Sequence, residues 1–161
     1  MIKYTFEKFI LTPNNLEKIV ELETRFYKED FNIDRNPIVL KKDLEDGFKN
    51  RYYDCSIAKK NDNIIGYLSW ICKKRKFRYH KTFKQIKIAT ITDIYILHQH
   101  RDNFVGPTLM GFSLDNLSKN DYKLCFISIG EDDKNMPKIL KYYKFQQINE
   151  KNGYIRFKKG L

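Results

Sequence analysis

The stretch IKIATITDIYILHQHRDNFVGPTLMGFSLDNL (Ile86–Leu117) decides the fold. Its first twelve residues are dense in β-branched and aromatic side chains and read as one long strand. Simple alternation puts Ile88, Thr90, Thr92, Ile94 and Ile96 on one face and Ile91, Asp93, Tyr95 and Leu97 on the other. The strand ends in the loop HQHRDNFVGPT, and Val105, Leu109, Phe112 and Leu117 are then spaced for the buried side of a helix, with Pro107 in the tolerated first turn. KLCFISI after it reads as another buried strand. Strand, tight loop, helix and strand make a unit that needs a sheet with helices packed on it.

Outward from this spine, IKYTFEKF alternates as an edge strand up to the turn signal Thr12-Pro13-Asn14. NNLEKIVELETRFYKED follows as a helix on Leu16, Ile19, Val20, Phe26 and Tyr27, with Asn14 or Asn15 as cap. A second helix carries Leu40, Leu44 and Phe48. YYDCSIAKK, the turn NDN and NIIGYLSWICKK form a strand pair, and a basic connection leads from it into the spine. A short helix near residues 134–143 and the strands KFQQIN and GYIRFKK close the chain. The order β-α-α-β-β-β-α-β-α-β-β predicts a mixed α/β (α+β) sheet with helices on both faces, in one domain over residues 1–161.

Composition bounds the function. With 42% hydrophobic and 15% aromatic residues among 161, the chain has the means to build a core. No apolar run approaches the roughly 20 residues of a membrane span, and MIKYTFEKF lacks the apolar region of a signal peptide, so a soluble cytoplasmic protein without a membrane partner is expected. Three scattered cysteines (Cys55, Cys72, Cys125) indicate neither a disulfide framework nor a metal site. The net charge is +11, and eight of the 31 Lys and Arg residues fall in KKRKFRYHKTFKQIK (Lys73–Lys87), which holds no acid. Without those eight, 23 basic residues face 20 acidic ones, +3, so the body is nearly balanced and nucleic acid is not its expected partner. The segment itself reads as a solvated hairpin connection, or as an anion-binding arm whose Phe77, Tyr79 and Phe83 could stack on bases.

The junction from DIYIL through HQHRDNFVG is where chemistry is expected. Free amides opening a helix, together with the helix dipole, favour a phosphate-like anion there. TDIYILHQHRDNFVGPTLM resembles the acetyl-CoA motif of the GNAT acetyltransferases, D-[LI]-[YF]-V followed by R-G-x-G-x-G/A, and Asp93, Ile94, Tyr95, Ile96, Arg101 and Gly106 match as they stand. KKDLEDGFKNRYYDCSIAK with IIGYLSW, and NMPKILKY (Asn135–Tyr142), are similar to stretches of the diamine (spermidine/spermine or thialysine) N-acetyltransferases.

The resemblance implies a GNAT-like, mostly antiparallel sheet of about seven strands, an acetyl-CoA co-substrate, a small-molecule primary amine as acceptor and a homodimer. Ile94, Tyr95 and Ile96 would supply the strand backbone for pantetheine. Arg101, Asp102, Asn103, Phe104, Val105 and Gly106 would wrap the pyrophosphate, and Asn135 would help hold the cofactor. Tyr142 would protonate the departing thiolate, as a phenol that is neutral at physiological pH can. Glu29, Asp30, Thr92 and Asp93 would face the amine, with Asp93 as a candidate base. The chain departs from the pattern at three places: Asp102 and Phe104 stand at leading glycine positions, Thr92 replaces a glutamate, and KYYKFQQ is about two residues short, so that Tyr143 competes with Tyr142. These departures leave one alternative, a GNAT-fold module that binds without catalysis, and the basic segment leaves another, an enzyme for an anionic amine such as a nucleotide-linked amino sugar.

Overall fold

The computed structural model describes residues 3–79 and 82–161, with the side chains of residues 77–79, 82, 83 and 102 outside that description. Twelve elements run in chain order, and we number strands and helices through the chain: β1 (Tyr4–Lys8), α1 (Pro13–Phe31), α2 (Pro37–Lys49), β2 (Tyr53–Lys60), β3 (Asn63–Tyr79), β4 (Thr82–Ile96), a 3-10 turn (His98–Asn103), α3 (Val105–Lys119), β5 (Tyr122–Gly130), α4 (Met136–Tyr142), β6 (Gln146–Lys151) and β7 (Tyr154–Gly160). The sheet order is β1-β2-β3-β4-β5-β7-β6. Every neighbouring pair is antiparallel except β4 and β5.

The helices begin where the chemistry of their first residues allows. Thr12, not Asn14 or Asn15, caps α1: its hydroxyl accepts from Asn15 N, and Pro13 takes the first helical position, where a missing N–H matters least. Asn36 and Pro37 repeat the arrangement at α2, with Asn36 Oδ1 accepting from Ile38 N and Val39 N. α1 and α2 cover one face of the sheet through Leu16, Ile19, Leu22, Leu40 and Leu44 against Cys55, Ile57, Tyr67 and Tyr95. α3 and α4 cover the other through Leu109, Met110, Leu114 and Leu140 against Leu68, Trp70, Ile91 and Ile127.

Two irregularities position the site. First, β3 pairs Ser69 with Asp93 but Trp70 with Ile91, so Thr92 is an extra residue in β4. This bulge reverses the alternation. Ala89 and Ile91 before it and Ile94 and Ile96 after it all face α3, while Tyr95 faces α1. The unbroken alternation expected from the sequence is therefore corrected at Thr92. Second, the parallel pairing of β4 with β5 ends at Ile91 and Ile127, and β5 continues to Gly130 against β7 alone. β4 and β5 part there.

The basic segment read as a connection is strand instead. β3 and β4 continue pairing from Lys73 with Ile88 out to Tyr79 with Thr82, well past the last partner that β2 offers, Ile71. The stacking role considered for Phe77, Tyr79 and Phe83 concerns side chains outside the described residues.

Candidate active site

Where β4 and β5 part, the ladder edge of β4 from Thr92 to Ile96 has no strand partner on its β5 side among the described residues. Backbone polar groups in such a place call for another partner. Two connected depressions lie along the gap and share Asp30, Ile94 and Met136. On the α3 and α4 side is a slot of about 250 Å³, lined mainly by Ile94, Ile96, Pro107, Met110, Met136 and Ile139, with Arg101 and Gly106 at one end. Its character is apolar, and its end is the start of α3. No side chain caps that 15-residue helix, so the first-turn amides of Val105 and Gly106 are available to an anion.

The second depression, about 700 Å³, lies between Thr92–Ile94, the end of β5 and the turn joining β6 to β7. Phe26 and Phe31 wall one side. Its charged lining residues are Asp30, Asp93, Asp132 and Asp133, with no lysine or arginine. Asp133 is partly engaged, since its Oδ1 accepts from Asn135 N and Met136 N and so starts α4. An acid-lined cleft in a chain of +11 is a local reversal of sign.

Asp93 sits at the bulge. Ser69 Oγ lies 3.2 Å from its carboxylate and 2.7 Å from Thr92 Oγ1, so one serine hydroxyl ties both residues to β3. Burial raises the carboxyl of Asp93 above its usual range, while hydrogen bonds from Thr92 and Ser69 and the charge of Arg35 oppose that rise. Behind it, on α1, is Glu23. It is 5% exposed, and its Oε2 has no hydrogen-bond partner. Burial, and then the nearby charge of Asp93, push its pKa up to about 7. The buried hydroxyls of Tyr53 and Tyr67 are raised by burial and by the nearby carboxylates, Glu23 first. Glu23, Tyr53 and Tyr67 line neither depression, and Asp93 is the member of this buried polar group that reaches the cleft.

Glu23 was missed from the sequence, although a signal existed. It falls at the helical spacing of Leu16, Ile19, Val20 and Phe26, on the stripe that faces the core.

The other expected site residues divide. Ile94, Ile96, Arg101, Gly106, Asp30, Thr92 and Asp93 all line one or both depressions. Tyr95 contributes backbone only, because its ring is buried on the α1 side and its hydroxyl donates to Glu29 at 2.9 Å. Glu29 lines neither depression; it also meets Arg101 at 3.4 Å. Arg101 Nε donates to Ile96 O, so the guanidinium is folded back on the strand end. Val105 is buried at the start of α3, and Asn103 is exposed. Phe104 adopts φ 55°, ψ 16°, the left-handed backbone that a glycine would take without strain, and points its ring to solvent. The side chain of Asp102 lies outside the described residues. Asn135 is exposed at the start of α4. Tyr142 is 77% exposed and lines neither depression, whereas the hydroxyl of Tyr143 donates to Pro107 O at 2.8 Å. His100, on the same turn, is buried and held to Tyr4, away from both depressions.

No protein-family model and no curated protein sequence matches the chain. Solved structures do. A ribosomal-protein-alanine N-acetyltransferase from Brucella melitensis superposes with a TM-score of 0.73 at 13% identity, covering 98% of this chain and 99% of the other. A GNAT-family acetyltransferase from Staphylococcus aureus gives 0.71 at 14% identity, with the same coverage. A PaiA N-acetyltransferase from Thermoplasma acidophilum, solved in complex with coenzyme A, gives 0.70 at 12% identity, again over 98% and 99%. The fold is that of the GNAT acetyltransferases. These neighbours do not single out the diamine subfamily within it.

Proposed function

We propose that the protein is an acetyl-CoA-dependent N-acetyltransferase whose acceptor is the primary amine of a small cationic molecule of the diamine or polyamine kind. The observation that carries the acceptor class is that every charged residue lining the larger depression is an aspartate, in a basic protein. A cationic chain gains there what an anionic amine would lose, which disfavours a nucleotide-linked substrate. The cofactor assignment is supported by the unpaired edge of β4, the apolar slot beside it and the uncapped start of α3, which together fit an amide-bearing arm ending in a diphosphate.

Bound acetyl-CoA supplies a thioester carbonyl open to attack by a free amine. The residues around it have three tasks. The carboxylates of Asp93 and of Asp30, which the two depressions share, orient the cationic acceptor beside the slot. Asp93 accepts the proton that the amine must shed before or as it attacks, its carboxyl raised by burial, and Glu23 behind it, pushed up to about 7, is matched to receiving that proton near neutral pH. Tyr142 is the group that the family resemblance assigns to protonate the thiolate. It lies on α4 three residues beyond Ile139, a lining residue of the slot, with its ring exposed, and the assignment rests on the resemblance. The homodimer and the cytoplasmic location belong to the same reading.

The test is thiol release from acetyl-CoA with a panel of diamines, amino acids and amino sugars at saturating cofactor. Turnover highest for diamines supports the proposal, and no turnover above background with any amine removes it. A second reading, a GNAT-fold module that binds without transfer, is favoured by the left-handed Phe104 and by Arg101 folded onto Ile96 O. Calorimetry separates the two, because tight acetyl-CoA binding contradicts a loop that has lost its ligand.

A further inference from the structure

Lys73, Lys74, Arg75, Lys76, Lys84 and Lys87, the described cations of the basic segment, line neither depression. Lys87 and Ile96 are nine residues apart on one strand, so an extended span of up to about 30 Å lies between the root of the basic segment and the strand end that precedes the loop Arg101–Gly106. The charge therefore does not serve the cofactor phosphates of its own chain. Nor does the acidic cleft, which would attract a cation, need it.

Beyond Lys74 and Lys87 the two strands pair only with each other, since β2 reaches no further than Ile71 on one side and β5 no further than Lys87 on the other. The result is a two-stranded ribbon with both edges open, about 17 Å long from Lys74 to Tyr79. Its register distributes the charge over both faces. Lys73 and Arg75 lie opposite Ile88 and Ile86 on one face; Lys74 and Lys76 lie opposite Lys87 and Gln85 on the other. Lys74 lies opposite Lys87 in the ladder, and the Lys87 ammonium donates to Asn120 O at 3.1 Å at the root of the ribbon. Lys73, Lys74, Arg75 and Lys76 are exposed, and none of them forms an ion pair among the described residues. At the root, Arg51 and Lys87 line a depression of about 390 Å³, together with Lys8 and Asp54, which pair with each other at 3.1 Å, so net positive charge continues onto the body.

One or two lysines are enough to keep an open strand edge from pairing with another chain. Five cations spread over both faces and the root exceed that need. An anionic membrane would be met by one charged face, and an acidic peptide adding to an edge would be met by that edge alone. Cations on both faces suit a cleft with anionic walls on both sides. The major groove of B-form DNA, about 12 Å wide and flanked by phosphates, admits a two-stranded ribbon, whereas that of duplex RNA is too narrow. We propose that the β3–β4 ribbon is a nucleic-acid-binding arm that enters the major groove of duplex DNA and holds it by phosphate contacts from Lys73, Lys74, Arg75, Lys76 and Lys87. The sequence set nucleic acid aside because the body is balanced; the free-standing ribbon gives the remaining charge a place of its own. This inference does not depend on the acetyltransferase reading.

The experiment is fluorescence anisotropy of the full chain with a labelled 20-base-pair DNA duplex of mixed sequence, titrated between 50 and 300 mM salt. Four to five contacts predict a slope of log K against log salt of about −4, and micromolar binding at the low-salt end. Changing Lys73, Lys74, Arg75 and Lys76 together to Gln should weaken binding at least tenfold at 50 mM salt and flatten the slope toward about −1. A charge-matched control, Lys3, Lys42, Lys144 and Lys151 to Gln, should keep the parent slope, and both variants should melt as the parent does. Any of four results overturns the proposal: no duplex binding at 50 mM salt, an unchanged slope in the ribbon variant, duplex RNA bound more tightly than DNA, or binding to phosphatidylserine vesicles without binding to the duplex.

Discussion

Replacing Glu23 by Gln tests the core of the proposed proton path and can be quantified from the structure. Glu23 is almost completely buried on α1 among Tyr27 of its own helix, Arg35, Tyr53 of β2, Tyr67 of β3 and Asp93 of β4. Its pKa rises from 4.5 to about 7, first by burial and then by Asp93. At about 1.4 kcal/mol per pH unit the rise is worth roughly 3 kcal/mol. The sign follows from which state binds the proton more tightly. Between pH 4.5 and 7 the folded protein holds a proton that the unfolded chain has released, so stability is full below 4.5 and falls as pH rises through 7. Gln keeps the shape and carries no charge at any pH. The variant should therefore match the parent near pH 4.5 and exceed it by up to roughly 3 kcal/mol at pH 8.

The measurement is urea unfolding of both proteins at pH 5, 6, 7 and 8, followed by the single tryptophan, Trp70, which is buried in the α3 core. Carbon-13 NMR of the glutamate side chains reads the pKa directly. A Glu23 that titrates near 4.5, or a stability difference that does not change with pH, refutes the reasoning. In turnover, the acid limb near pH 7 should disappear from the kcat/KM profile of the variant, a change that a purely structural role would not produce.

Further outcomes follow from single contacts. Tyr142→Phe should lower kcat at least tenfold while changing acetyl-CoA affinity less than threefold, whereas Tyr143→Phe, which loses the hydrogen bond to Pro107 O, should cost about 1 kcal/mol of stability and leave kcat near the parent value; an unchanged kcat in Tyr142→Phe removes the acid assignment. Phe104→Gly relieves a left-handed backbone worth about 1 kcal/mol and should tighten CoA binding several-fold by calorimetry; weaker binding would show that the loop uses the aromatic ring. A Cβ on Gly66 would lie 2.4 Å from Ile96 Cδ1 and 2.6 Å from Tyr95 O, so Gly66→Ala should destabilise by about 2 kcal/mol in thermal or urea unfolding and disturb the end of β4; a variant as stable as the parent contradicts that packing.

Much of the architecture was legible because it rests on periodicity. The helical spacing of Leu16, Ile19, Val20 and Phe26, the alternation of β1 and the strand-loop-helix unit from Ile86 to Leu117 each follow from one local pattern. What escaped depends on partners distant in sequence. The bulge at Thr92 carries no glycine or proline to mark it, and only the pairing of Ser69 with Asp93 and Trp70 with Ile91 reveals the extra residue. The basic ribbon was obscured by composition, because lysine is a weak strand former and its run read as a connection.

These two hidden features determine the electrostatics that composition alone misjudged. Without the bulge, continued alternation would leave Asp93 on the face of Ile91, toward α3 and the apolar slot. With it, Asp93 joins the face of Tyr95 and Tyr67, where Glu23 and the acceptor cleft are. One extra residue in one strand thus assigns the carboxylate to the amine rather than to the cofactor. The register that produces it is fixed by β3, the strand that also forms half of the ribbon. Negative charge gathers at the bulge and positive charge at the free end of the same β3–β4 pair, so a net charge of +11 describes neither surface, and each has to be tested with a ligand of opposite sign.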